Sequence, residues 1–107
     1  MTDRELLEFA AKAAGKKHYG EYNAHAGLKT TGGWWNPSID DGDALRLAVK
    51  LQMCVGIIPS NIKDGYATVT LAPANPVEIG ETHNGDPLAA TRRAIVRAAA
   101  EIGRQIT

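Results

Sequence analysis

The segment Gly32-Gly33-Trp34-Trp35-Asn36-Pro37-Ser38-Ile39-Asp40-Asp41-Gly42-Asp43-Ala44 (GGWWNPSIDDGDA) holds both tryptophans of the chain and three carboxylates. Two readings compete. Acids beside aromatic rings could hold a metal or work as acid and base, whereas the same letters spell a turn running into an acid-capped helix. Spacing separates them. A calcium loop needs alternating ligands and a bidentate Glu at its twelfth position, but counting from Asp40 or Asp41 reaches Leu51 or Gln52. A carboxylate in a first helical turn accepts from free amides and complements the helix dipole. Asp40 or Asp41 as the cap, with Asp43 following, thus accounts for all three acids.

Downstream of that cap the helical wheel predicts a helix from Asp41 to Gln52. Ala44, Leu45, Leu47, Ala48, Val49 and Leu51 cover more than half of its circumference, so it is expected to be nearly buried, with Asp43, Arg46 and Lys50 as a narrow solvated strip. Cys54-Val55-Gly56-Ile57-Ile58 and the alternating Tyr66-Ala67-Thr68-Val69-Thr70-Leu71 read as strands joined through Ser60 to Gly65. Pro73 and Pro76 interrupt pairing, and Val77-Glu78-Ile79-Gly80 reads as a third strand at an edge. Asn84-Gly85-Asp86-Pro87 supplies a turn, an Asp cap and a proline at the first helical position. The helix that follows runs to about Ile106, with Leu88, Ile95, Ala99, Ile102 and Ile106 on one side.

Upstream, Thr2-Asp3-Arg4-Glu5 fits a capping box, and Leu6, Phe9, Ala10, Ala13 and Ala14 recur at helical spacing until Gly15. His18 to Lys29 has no clean period and reads as one or two short strands or an ordered loop. Together these elements predict a small single-domain α+β fold over residues 1–107, with an antiparallel sheet of two to four strands packed against three helices. Lysines plus arginines number 12, as do the acids, so no global field steers the chain to nucleic acid or to an anionic membrane. Any charged site must be local. Cys54 has no partner for an intramolecular disulfide, and no apolar N-terminal stretch reads as a leader or membrane span. A cytoplasmic protein without a membrane association is expected.

Candidate residues are few. Trp34 and Trp35 could stack on a base or sugar ring; as neighbours in an extended segment they point opposite ways, one inward and the other exposed. His18, His25 and His83 lack zinc spacing and read as surface residues, while Cys54 heads an apolar strand and reads as a small hydrophobe. No phosphate-cradling loop, nucleophile elbow or dinucleotide fingerprint occurs. Accordingly no catalytic residue, metal ligand or cofactor is assigned. On the final helix Arg93, Arg97 and Arg104 fall within about 40° of each other and form a basic stripe on a solvated face. Arg92 breaks that pattern by pointing near the apolar side. It is expected either to snorkel or to pair with an acid of the Asp40–Asp43 segment, Asp41 among them.

The blocks Trp35-Asn36-Pro37 to Ala48 (WNPSIDDGDALRLA) and Asp86 to Ala94 (DPLAATRRA) resemble segments recurring in small uncharacterised proteins of tailed phages and prophages. The resemblance implies a phage-encoded accessory protein working in a bacterial cytoplasm, with no reaction or cofactor to transfer. The leading expectation is a non-enzymatic protein that binds another macromolecule, protein or nucleic acid. The alternative is a nucleic-acid-binding module, because residues 41–106 read helix–strand–strand–strand–helix, the order of double-stranded RNA-binding domains. A metal-dependent hydrolase using Asp40, Asp41 or Asp43 with a histidine ranks last.

Overall fold

The first helix, α1 (Asp3–Ala13), starts where the capping box predicts. The Glu5 amide donates to Thr2 Oγ1 at 3.2 Å and the Thr2 amide donates back to Glu5 Oε1 at 3.0 Å. That backbone donor, with the Thr2 hydroxyl, holds the Glu5 carboxyl below its usual range. At the other end Gly15 takes φ +69°, and the amides of Gly15 and Lys16 reach back to the carbonyls of Lys12 and Ala11. Such a left-handed cap satisfies the last free carbonyls. The buried face centres on Leu7, Ala10, Ala11 and Ala14. Leu7 was missing from the expected set, and Phe9 and Leu6 sit at the margin.

The computed structural model describes residues 1–59, 65–71 and 78–106. Beyond α1 it contains β1 (His18–Asn23), β2 (Gly27–Thr30), β3 (Gly33–Trp35), α2 (Asp41–Lys50), β4 (Cys54–Ile58), β5 (Tyr66–Thr70), β6 (Glu78–Thr82) and α3 (Pro87–Gln105). The α+β class and the three helices hold. The single sheet does not: two separate three-stranded antiparallel sheets form, in the orders β1-β2-β3 and β4-β5-β6. The difference is β3. A Gly-Trp-Trp strand next to Asn36-Pro37 is too short for any periodicity to show, yet it pairs with β2 at Leu28↔Trp35, Lys29↔Trp34 and Thr30↔Gly33. The connection read at Ser60 to Gly65 lies outside the described residues except for Gly65, as do Pro73, Pro76 and Val77.

All of this gathers on α3. Its Ala90, Ala94, Ala98, Ala99 and Ala100 are fully buried, and it packs against α1, against α2, and across β5 and β6. Small side chains let backbones approach. Gly103 is the extreme case, since a Cβ there would overlap the Phe9 carbonyl of α1. The second sheet turns Ala67 and Val69 of β5 toward α3, whereas β4 barely touches that helix. Val55 and Ile57, paired across to Val69 and Ala67, therefore project past the helical layer, and Ile57 stays 62% exposed.

Several expected burials are corrected here. α2 is not nearly buried: Ala44, Leu47 and Ala48 face inward, while Leu45 and Val49 lie in solvent. One neighbour, α3, covers one stripe of it. Leu88 is exposed in the first turn of α3, and Cys54 is exposed at the head of β4, so neither is core. Among the described residues no helix is long and apolar enough to cross a membrane.

Two backbone positions give opposite predictions. Gln52 closes α2 with φ +55°, where the amides of Gln52 and Met53 bond to the carbonyls of Val49 and Ala48. Glycine adopts that conformation freely, so Gln52→Gly should stabilise the protein by up to about 1 kcal/mol. Gly103→Ala would gain about 1 kcal/mol from helix propensity. The overlap with Phe9 should reverse that sign and give a net loss of about 1–3 kcal/mol. Urea titration of each variant by circular dichroism measures both.

Candidate functional site

The Trp/Asp segment is a structural joint. Asp40 caps α2 by accepting from the Asp43 amide at 2.8 Å. Asp43 was expected on a solvated strip, but its side chain is largely buried and accepts from the Asn36 amide at 2.9 Å and from Arg46 at 2.8 Å. Asp41 receives Arg92 Nη1 at 2.6 Å, while Arg92 Nε donates to the Ser38 carbonyl at 3.0 Å. Every acid in the segment is thus occupied by a cap, an amide or a guanidinium. Asn36, buried and bonded on both sides of its amide to His25 and Ser38, sits between them. Among the described residues no group of three or more His, Cys, Asp and Glu is placed to hold a metal ion.

The arginine stripe is also committed. Arg93 and Arg97 both reach Glu81 on β6, with Arg93 Nε at 3.0 Å from one carboxylate oxygen and Arg97 Nη1 on the other. Arg104 pairs with Glu101 at 2.6 Å, which holds the Glu101 carboxyl below its usual range and raises the guanidinium. These side chains are exposed in part, as the wheel requires, but they are latches from α3 to β6 and along α3. Glu81 lies far from them in sequence, so no local pattern announced it. Arg4 and Arg46 pair with Glu8 and with Asp40 and Asp43, so every arginine has an acid partner.

The lysines differ. Among the described residues no carboxylate lies within ion-pair distance of Lys16, Lys17 or Lys29. Lys29 lies in β2, and Lys16 and Lys17 directly precede β1 at the same end of the first sheet. Lys29 and Trp34 are direct cross-strand partners, with Nζ 5.7 Å from the indole centroid. Trp35 points the other way into the core at 4% exposure, while Trp34 is 45% exposed on the outer face. That is the alternation expected of an extended pair. On the other side of Lys29, the β1 register shifts between His18↔Thr30 and Tyr22↔Leu28, leaving Tyr19, Gly20 and Glu21 as a bulge with Tyr19 exposed. The Thr31 amide donates to the Lys17 carbonyl at 3.2 Å, bringing Lys16, Lys17 and His18 beside the β2–β3 turn.

That same end opens onto a cleft of about 590 Å³ lined by Phe9, Lys12, Lys16, Lys17 and His18, with Glu5 and Glu8 on its far wall. Both glutamates are engaged, one in the α1 cap and the other with Arg4. Lys12 donates to the Ile106 carbonyl at 2.7 Å. The outer face thus presents the Trp34 indole with Lys29, and the bulge an exposed Tyr19, whereas Lys16 lies 5.6 Å from the centroid of Trp35, which points the other way. His83, expected at the surface, is instead 6% exposed; its amide donates to the Gly65 carbonyl, and Nε2 has no partner among the described residues.

The Arg92 contact has a measurable size. Its guanidinium is 17% exposed and the Asp41 carboxylate 62%, so the pair is open to solvent on one side and cannot reach the 3–5 kcal/mol of a shielded one. Their coupling in a double-mutant cycle should be about 1 kcal/mol or less. Arg92→Ala should cost more than Asp41→Ala, about 1–3 kcal/mol, because it also strands the Ser38 carbonyl. Equal losses for the two single variants would show that the Ser38 bond contributes nothing. No family model matches the chain, and no curated protein or solved structure is significantly similar to it.

Proposed function

We propose that this is a non-enzymatic, phage- or prophage-encoded accessory protein that binds single-stranded nucleic acid through the outer face of the β1–β2–β3 sheet. The observation that supports the reading is the cross-strand pairing of an exposed Trp34 with Lys29, which has no acid partner among the described residues. An aromatic face stacks on any base, and neighbouring ammonium groups track the phosphates. The outer face of β2 and β3 places the ring and one ammonium group side by side. Tyr19, across Lys29 on the bulge, supplies a second ring at the spacing of adjacent strands. The phage setting rests on the WNPSIDDGDALRLA and DPLAATRRA blocks, and a bacterial cytoplasm is the compartment that goes with it.

A duplex-binding reading draws on the order α2-β4-β5-β6-α3. Order by itself does not fix function. Here α2 packs on α3 more than on the sheet, and Arg93 and Arg97 are tied to Glu81. Single strands therefore fit the presented chemistry better.

Fluorescence-anisotropy titration of labelled single-stranded DNA and RNA, with duplexes alongside, tests the proposal across a range of salt. Binding should weaken linearly on a log–log plot, and Lys29→Ala should flatten the slope by about 0.7 for the one phosphate it gives up. Trp34→Ala should weaken binding by about 1–3 kcal/mol, roughly 5- to 150-fold, without loss of fold, since the ring is half exposed. Arg104→Ala should change neither quantity. No binding at low ionic strength, or tighter binding to duplex than to single strands with Trp34→Ala silent, would overturn it.

A further inference from the structure

The two sheets present four strand edges, β1 and β3 in one and β4 and β6 in the other. Exposed edges template the addition of further strands, and folded proteins block them with bulges, charges or short length. Three of these four are blocked. β1 carries the Tyr19–Glu21 bulge, β3 is 3 residues long, and β6 bears Glu78 and Glu81. Among the described residues β4 has no such device: Cys54-Val55-Gly56-Ile57-Ile58 is uncharged, contains no proline, and pairs with β5 residue for residue from Cys54↔Thr70 to Ile58↔Tyr66 without a shift. Among the described residues its side chains are also largely uncovered, because α3 lies over β5 and β6 and touches β4 only at its margin.

We propose that β4 is the contact of a symmetric dimer, in which a second copy of this chain adds its own β4 antiparallel across a two-fold axis at Gly56. An isologous contact must be complementary to itself, and β4 meets that condition about its own centre. Val55 falls opposite Ile57 of the second copy and Cys54 opposite Ile58, so β-branched side chains meet across the axis and no charge faces another. The residues left uncovered by α3, Val55 and Ile57, are the ones that then cover each other, and the two three-stranded sheets join into one of six strands. An uncharged edge in a chain whose other edges are charged, bulged or short selects an equally uncharged strand, which this chain carries in every copy. The edge is about 17 Å long at the usual rise per residue. That is short of a standard interface, so the dimer is reversible and concentration-dependent. This contact uses the sheet remote in sequence from the Trp34 face and stands apart from the nucleic-acid reading.

Sedimentation equilibrium over a wide concentration range tests it. The wild-type chain should rise from one to two chain masses. Ile57→Lys, which changes an exposed side chain, should stay at one mass with an unchanged circular dichroism spectrum and melting temperature at low concentration. Register is tested separately: Ile58→Cys, treated with a mild oxidant, should give a covalent dimer on a non-reducing gel through the native Cys54 of the other copy. The same substitution in a Cys54→Ser background should give none. A wild-type mass of one chain at the highest concentration, or an Ile57→Lys variant that dimerises as well as wild type, overturns the proposal and leaves the edge to a strand of another protein. Cross-linking that survives Cys54→Ser overturns the Gly56 axis.

Discussion

The buried side chain of Asn36 joins the β1–β2 turn to the start of α2. Its Nδ2 donates to the His25 carbonyl at 3.0 Å, its Oδ1 accepts from the Ser38 amide at 3.2 Å, its own amide donates to Asp43, and its carbonyl accepts from the Asp40 amide at 2.8 Å. A primary amide taken out of water costs several kcal/mol unless its donors and acceptors are met. Meeting them fixes the turn that hands β3 over to α2. Gly27 belongs to the same joint: a Cβ there would overlap the Trp35 carbonyl and crowd Asn36, and its φ of +86° suits glycine. Once that turn is set, the Ser38 carbonyl stands where Arg92 of α3 can reach it, and the first sheet, α2 and α3 are tied through a few residues.

A second constraint is width. An α-helix with its side chains is about 10 Å across, and strands lie about 4.8 Å apart, so one helix covers two strands well. α3 lies over β5 and β6 and is itself covered by α1, whose approach the buried alanines and Gly103 permit. With α2 set against α3 and not on the sheet, the described helices leave little cover for β4, which α3 touches only at its margin. The exposed Val55 and Ile57 thus follow from counting helices against strands. Their apolar character, on a strand without a charge, is what the layer count leaves unexplained unless something else covers them.

What could be read from the sequence was local. The caps at Thr2, Asp40 and Asp86 depend on residues three positions apart, and each was placed within a residue. The alternation of Trp34 and Trp35 followed from extended geometry; the Arg92–Asp41 contact is the long-range exception, one of two outcomes open to a cation that disagrees with its own helical face. What stayed hidden was set by partners distant in the chain. A helical wheel shows that α2 is apolar nearly all round but not that one neighbour covers it, which is why Leu45 and Val49 were misplaced. Arg93 and Arg97 looked solvated because Glu81 is outside their helix. β3 was too short to have a period, and nothing local shows that β1 and β2 pair with it and not with β4 to β6, so one sheet was expected where two exist.

The division of labour between the two basic residue types bears most on what the surface can do. With equal numbers of acids and bases, any net attraction for a polyanion has to come from which cations are left over. The planar guanidinium suits bidentate or forked contacts, and here the arginines take them: Glu81 is gripped by two, Asp41 and Ser38 by one, Asp43 and Glu101 by one each. Each such pair removes one acid and one base from the field at a distance. The ammonium groups of Lys16 and Lys29 instead sit over indole rings, 5.6 Å from the Trp35 centroid and 5.7 Å from that of Trp34. A ring face attracts a cation without neutralising it. Lys29 thus keeps its charge beside the exposed indole and Lys16 beside the buried one, although the charge count of the whole chain is zero.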